Sequence, residues 1–173
     1  MIRGIYTAAA GMLARLNQLE FAGNNLANVD TAGFKQDRLY FRELLAGHAM
    51  LTTGSEVTGS EDARIDFSQG DLRSTLSAMD VALDGRGFFL VQAGGLDFYS
   101  RNGHFALNEN GELVTALGYK VAGEDGPLII NNPDFKISQR GEVIVNNSIV
   151  GKLRVVDFPD NLQLIKRGEN LFE

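Results

Sequence analysis

The first 34 residues constrain the fold more than any other stretch, because they are typical of one long helix with a continuous apolar line. Apolar or small residues recur there at alternating steps of three and four, the spacing of a helix that packs against other helices. This line consists of Ile2, Ile5, Ala9, Met12, Leu16, Leu19, Gly23 and Leu26, and a second stripe consists of Tyr6, Ala10 and Leu13. The nine members other than Gly23 and Ala10 are called the seam below. The rest of the sequence supplies no obvious helical partner for the seam.

An asparagine-rich stretch predicts where this helix ends. The periodic pattern covers residues 2–27, and three asparagines gather at its carboxyl end, namely Asn24, Asn25 and Asn28. Asparagine tolerates the left-handed conformation that stops a helix, and Gly33 is the residue expected to have a positive φ. Two interpretations of the asparagines remain open: a helix stop alone, or a helix stop that also contacts another subunit.

Composition and charge exclude several classes of protein. The 173 residues are enough for one domain with a hydrophobic core. A net charge of −6 argues against nucleic-acid binding, since phosphate neutralisation needs clustered lysine and arginine. No apolar run approaches the roughly 20 residues that span a bilayer, so an integral membrane protein is not expected. The absence of cysteine excludes disulfides and thiolate metal sites.

Beyond the helix the pattern changes twice, which predicts three segments. Residues 1–46 are expected to form a helical arm with the asparagine-rich turn, residues 47–62 a linking loop, and residues 63–173 a β-rich domain. In the last segment, short β-type runs recur about every eight to twelve residues with turn residues between them. The predicted fold class is therefore mainly β: an irregular sandwich or barrel-like domain after a long N-terminal α-helical arm.

Four local patterns within the β-rich segment make specific predictions. Residues 87–91 are apolar on both faces, which predicts a fully buried strand. Residues 105–107 and 113–115 flank an Asn-Gly pair, which predicts a hairpin with a primed turn. Residues 71–75 are predicted to be a strand, and the last predicted strand is residues 152–158.

No catalytic, metal or cofactor site is predicted. Neither His48 nor His104 has a second ligand-type side chain at metal-ligand spacing. Asp80 and Asp84 are four apart, but the residues between them look extended, so the carboxylates are expected at opposite ends of a strand and not paired for acid–base chemistry. The glycine-rich run at residues 85–87 lacks the lysine of a phosphate loop, so a tight turn is expected there.

The stretch at the helix end resembles the flagellar rod and hook protein family of bacteria, in which an N-terminal helix ends in the same pattern. The matching residues are Asn24, Asn25, Leu26, Ala27, Asn28, Thr31, Gly33, Phe34 and Lys35. Further motifs match at residues 66–72 with 80–89, and at residues 99–105 with 110–114 and 118–119. The resemblance covers nearly the whole chain.

The resemblance implies a structural, non-enzymatic subunit of the basal-body rod, the periplasmic drive shaft that motility requires. It implies that the seam polymerises with other copies and with other rod and hook axial subunits, without a cofactor. It also implies unfolded export through the flagellar type III apparatus without a cleaved signal peptide. Residues 1–30 agree with that route, because Arg3 is followed by an amphipathic pattern and not by a solid apolar block.

Two finer expectations and one alternative accompany this resemblance. The short link between Leu45 and Asp66 resembles the proximal rod protein, since the distal rod protein carries a longer insertion there. Family members end in a second amphipathic helix that this sequence, ending at Glu173, lacks. Two explanations remain open: a truncated variant, or a seam that finds all its partners in other subunits. Without the second helix the subunit is expected to assemble poorly. The alternative is a β-rich binding module whose helix docks one rod, cap or ring partner.

Overall fold

The computed structural model describes residues 2–41, 61–132, 134–159 and 164–173. The predicted link at residues 47–62 therefore lies outside the described residues, apart from Glu61 and Asp62, which begin a strand. The chain separates into two compact units. The first consists of Met1–Asp30 and Lys35–Phe67, and the second consists of Thr31–Phe34 and Ser68–Glu173.

The described residues form one long helix and a series of short strands, which confirms a mainly β fold after an N-terminal helix. In chain order the elements are α1 (Ile2–Ala27), β1 (Asp37–Phe41), β2 (Glu61–Ile65), β3 (Phe88–Ala93), β4 (Leu96–Ser100), β5 (Phe105–Leu107), β6 (Leu113–Thr115), β7 (Lys120–Gly123), β8 (Gly126–Pro127), β9 (Phe135–Ile137), β10 (Glu142–Val145), β11 (Ser148–Lys152), β12 (Val155–Val156), β13 (Lys166–Gly168) and β14 (Leu171–Phe172).

The first unit combines helix α1 with an antiparallel β1–β2 pair. The helix has the predicted bounds, and β1 shows that the chain after the turn is extended as far as Phe41. Asp66 closes the pair: its amide donates to the Gln36 carbonyl (2.9 Å), and its carboxylate pairs with Arg38 (2.9 Å). Within the described residues, no helix combines the length and apolar character that crossing a bilayer requires.

The second unit is built from two antiparallel sheets. The larger runs in the order β13-β14-β4-β3-β7-β6-β5, with β12 beside β3 and β8 beside β7. The smaller runs β11-β10-β9. One hydrophobic core takes side chains from both sheets, because Val143 of β10 and Phe135 of β9 cluster with Phe89 and Val91 of β3.

Strand β3 lies at the centre of this core and confirms the buried strand predicted at residues 87–91. Its aromatic side chains serve opposite faces, as successive residues of a strand do. The Phe88 ring meets Phe172 edge-on at 5.5 Å between centroids, and the Phe89 ring meets Phe105 at 5.2 Å. Such edge-to-face pairs are the favoured aromatic geometry and add about 0.5–1.5 kcal/mol each to the area they bury.

Three details of the β prediction are wrong. Residues 71–75 form no strand, because every residue from 68 to 78 is exposed and lies beside no partner strand. Strands β11, β13 and β14 were not predicted, since their few residues carry no clear alternation. In the β5–β6 hairpin, Gly111 has a positive φ of 72° but Asn110 does not, so the turn is not a primed Asn-Gly turn.

The side chain of Asn108 organises the loop that connects β5 and β6. Its Oδ1 accepts hydrogen bonds from the amides of Asn110 (3.0 Å) and Glu112 (2.9 Å), which closes a longer loop around one asparagine. Its Nδ2 donates to Glu112 Oε2 (2.9 Å), and Lys120 Nζ pairs with Glu112 Oε1 (2.7 Å). The hydrogen bond from Lys120, followed by that from Asn108, lowers the pKa of the Glu112 carboxyl below its ordinary value of 4.5.

We expect the stabilisation from Glu112 to depend on pH. Because the pKa is lower in the folded chain, the contribution is complete above 4.5 and is lost as pH falls through the lowered value. Thermal unfolding of the wild type and Glu112→Gln should therefore show a difference in melting temperature at pH 7 that shrinks below pH 4.5. A difference that stays constant or grows on acidification would contradict this assignment.

Candidate assembly interface

The large side chains of the seam are exposed along the helix wherever the structure describes them. Ala9 is half-buried, and the larger members are 60–73% exposed: Ile5 69%, Met12 63%, Leu13 61%, Leu16 60%, Leu19 69% and Leu26 73%. The side chains of Ile2 and Tyr6 lie outside those that the structure describes. Six exposed large apolar side chains therefore lie along one helix, and such a row, unlike scattered single ones, is typical of an interaction surface.

The helix turns a different face toward its own chain. Ala14, Gln18, Phe21 and Asn25 are half-buried, and their spacing of four, three and four places them on the face opposite Leu16. Asn25 binds β1 directly: its Nδ2 donates to the Asp37 carbonyl (3.0 Å), and its Oδ1 accepts from the Asp37 amide (3.1 Å). The side chain thus pairs with the strand as a backbone peptide would, and the seam remains uncovered.

The side chain of Asn28 bonds back to Asn24 at the end of the helix. None of Asn24, Asn25 and Asn28 has a positive φ, so the expected left-handed stop is wrong for them. Instead Asn28 donates to the Asn24 carbonyl twice, from its backbone amide (3.2 Å) and from its side-chain Nδ2 (2.9 Å), and Nδ2 also lies 3.3 Å from Asn24 Oδ1. Leu26, between them, belongs to the exposed seam, whereas the exposed Ala27 ends the helix.

The second half of the motif, Thr31–Phe34, belongs to the strand-rich unit. The Phe34 amide donates to the Thr31 carbonyl (3.2 Å), which closes a turn. Gly33 has a φ of 72°, as predicted, and a Cβ added there would overlap the backbone of Arg101. Only glycine combines that conformation with so close an approach.

Two residues near the carboxyl end of the chain also contact this turn. Asn170 Nδ2 donates to the Ala32 carbonyl (3.2 Å), and Lys166 Nζ lies 4.8 Å from the centre of the Phe34 ring. Neither residue was predicted. The available signal was the Gly168-Glu169-Asn170 run before Leu171, which is turn chemistry typical of a hairpin. Lys35, the last residue of the motif, is 8% exposed and lies in the first unit.

Arg101 joins the motif at residues 99–105 to the motif at residues 80–89. Its guanidinium donates to the carbonyls of Gly85 (2.6 Å) and Leu83 (3.4 Å) and lies 5.3 Å from the centre of the Phe88 ring. Burial lowers the pKa of Arg101, and the nearby carboxylate of Asp157 opposes that shift. Arg101 therefore holds the turn at residues 83–85 against the segment that follows β4.

The candidate residues for metal, acid–base or phosphate chemistry that the structure describes lie in a β-bridge and a tight turn. His104 Nδ1 lies 2.5 Å from Asp80 Oδ1, a pair that a β-bridge between these two residues creates and that sequence spacing could not indicate. Gly85 and Gly87 both have positive φ and form the tight turn expected into β3. His48 lies outside the described residues. Across the ranges that the structure describes, no group of three or more His, Asp or Glu side chains could hold a metal ion.

Two protein-family models match the chain. One, described as a flagella basal body rod protein, matches residues 5–35, which hold most of the seam and the asparagine-rich motif. The other, described as the D1 domain of the flagellar hook proteins FlgE, FlgF and FlgG, matches residues 82–145 in the strand-rich unit.

Individual relatives match over the whole chain. The flagellar basal-body rod protein FlgG of Bacillus subtilis is 33% identical over 193 residues, covering 99% of this chain and 73% of the relative. FlgG of Borreliella burgdorferi is 34% identical over 199 residues, covering 100% and 74%. The rod protein FlgF of Caulobacter vibrioides is 32% identical over 179 residues, covering 99% and 73%.

Proposed function

The chain belongs to the flagellar basal-body rod protein family, and from that premise we propose that it is a structural subunit of the rod that polymerises through the seam of helix α1. The observation that carries the proposal is the exposure of six large seam side chains at 60–73%. Full burial of a side chain of this size is worth about 1.5–3 kcal/mol, so covering the row supplies ample driving force.

The proposed partners are other copies of the chain and other axial subunits of the rod and hook. The relatives are basal-body rod proteins by name, which supports the basal body as the location. Family membership also supports a periplasmic position and export through the flagellar type III apparatus without a cleaved signal peptide. We propose no enzymatic activity, because the family consists of structural proteins.

We propose that residues 1–46 mediate assembly, that residues 47–62 form a link, and that residues 63–173 form the outer layer of the rod. In support, the seam lies wholly within the first of these segments, and the hydrophobic core is formed by residues of the third. The residues proposed for the interface are the nine of the seam, and the motif residues at 24–35 are proposed to terminate and anchor the helix.

Among the members of the family, we propose the proximal rod protein. The two FlgG alignments span 193 and 199 positions although the chain has 173 residues, so these relatives carry at least 20 residues that it lacks. The FlgF alignment spans only 179 positions. A relative with a short link would give a short alignment. The difference therefore supports the proximal assignment, which rests on the short link between Leu45 and Asp66.

Amide hydrogen exchange tests the proposal against a module that docks a single partner. In dilute solution we expect weak protection over residues 2–27, because a helix with an uncovered apolar face is marginally stable by itself. In isolated basal bodies the same amides should exchange at least tenfold more slowly. Strong protection in a subunit shown to be monomeric would contradict the proposal, and saturation by one partner at one to one would favour the docking module.

A further inference from the structure

The β13–β14 hairpin contacts the turn at Thr31–Phe34, which is called the motif turn below. Asn170 of the hairpin lies 138 residues after its partner Ala32 in the sequence. Asn170 donates its amide hydrogen to the Ala32 carbonyl, and the ammonium of Lys166 lies over the Phe34 ring at 4.8 Å. Gly33, which lies between Ala32 and Phe34 in the sequence, contacts the backbone of Arg101. All of these residues belong to the strand-rich unit.

The tip of the hairpin has an unusual backbone. Glu169 and Asn170 have φ values of 53° and 59°, the left-handed geometry of a primed two-residue turn. Asparagine is common in such turns, whereas glutamate at positive φ is not, and such outliers persist only where the surroundings hold them. Here the Tyr119 hydroxyl donates to Glu169 Oε2 (3.0 Å), and the Ser100 hydroxyl donates to the Asn170 carbonyl (3.0 Å). The hydrogen bond to Glu169 also raises the pKa of the Tyr119 phenol.

These contacts fix the direction in which the Asn170 side chain points. We propose that Asn170 and Lys166 are positioning residues that hold the Thr31–Phe34 turn, which follows the assembly helix in the chain, on the sheet. The contacts that hold the turn on the sheet do not depend on assembly. The claim that assembly needs a held turn rests on the function proposed above.

The contacts of Asn170 and Lys166 with the motif turn do not belong to the hydrophobic core. The sheet is stabilised by Leu171 and Phe172, which are 7% and 1% exposed, whereas Asn170 and Lys166 are only half-buried. Removing the amide or the ammonium should therefore free the turn and leave the sheet folded.

Asn170→Asp tests the amide contact. Aspartate tolerates the left-handed backbone as asparagine does, but it places a carboxylate oxygen against the Ala32 carbonyl in place of a donor. We expect the Phe34 amide, which donates to Thr31, to exchange on the order of fivefold faster in the full chain. The melting temperature of the sheet should change little. Asn170→Gly is the matched control, because it keeps the backbone, loses the donor and adds no repulsion, and it should give a smaller acceleration.

Lys166 provides a second test that leaves the strained tip untouched. Lys166→Gln should accelerate exchange at Phe34, and Lys166→Arg should restore the wild-type rate, since a guanidinium also binds an aromatic face. Unchanged exchange in both Asn170→Asp and Lys166→Gln would overturn the proposal, as would collapse of the sheet in both. Faster exchange with normal swimming would support the holding of the motif turn by these residues and overturn its role in assembly. Loss of swimming with faster exchange supports both.

Discussion

Leu16→Asp is expected to abolish swimming while the strand-rich unit stays folded. Leu16 is 60% exposed, so the carboxylate costs little before assembly. In an assembled rod the same position would be buried against a neighbour, where an unpaired carboxylate costs several kcal/mol. A loss of about 3 kcal/mol weakens each contact by more than a hundredfold. Ile5→Asp should have the same effect, since Ile5 is 69% exposed on the same line. Spreading in soft agar measures swimming, and thermal unfolding measures the integrity of the sheet.

Two controls separate the seam from the helix. Ala22→Asp introduces the same carboxylate at an exposed position off the seam and should leave swimming near the wild-type level. Leu16→Met keeps an apolar side chain of similar volume and should also swim. Normal swimming by Leu16→Asp would show that the helix is not the assembly element.

Gly33→Val is expected to release the motif turn from the sheet. A β-branched residue at a φ of 72° is strained, and its Cβ would overlap the Arg101 backbone, which cannot move without disturbing the bonds that Arg101 makes to the turn at residues 83–85. The combined cost is on the order of 3 kcal/mol. The hydrogen bond to Ala32 and the contact between Lys166 and Phe34 supply only about 1 kcal/mol each, so the turn should detach.

The measurement for Gly33→Val is proteolytic sensitivity at residues 31–34, together with swimming. We expect faster cleavage and a severe loss of swimming. Gly70→Val is the matched control, because a Cβ at Gly70 meets no atom within 4 Å and the residue has no positive φ. A resistant turn in Gly33→Val would rule out the close approach at Arg101.

The sequence was sufficient for the features that depend on neighbouring residues. The helix and its seam followed from a period of three to four, and the buried strand at residues 87–91 followed from an apolar run next to turn residues. Gly33 was recognised because a helix end followed by a sharp turn needs a left-handed residue. Each of these rests on interactions within a few positions of the chain.

The features that were missed depend on pairing at long range. Strand β14 has two residues and pairs with β4, so it carries no period of its own. The side chain of Asn25 replaces a backbone partner for Asp37, twelve positions along the chain, and the asparagine gives no sign of this in a helical pattern. Asn170 reaches Ala32 only because the β13–β14 hairpin folds back beside β4. No local pattern encodes such contacts.

Thiol protection measures the central claim most directly, because the sequence has no cysteine and Leu16→Cys introduces a single one. The variant should first be shown to swim. We predict that a maleimide labels Cys at this position rapidly in the dilute subunit and at least tenfold more slowly in isolated basal bodies, with full labelling after denaturation. Equal labelling rates in the subunit and in the basal body would contradict assembly through the seam.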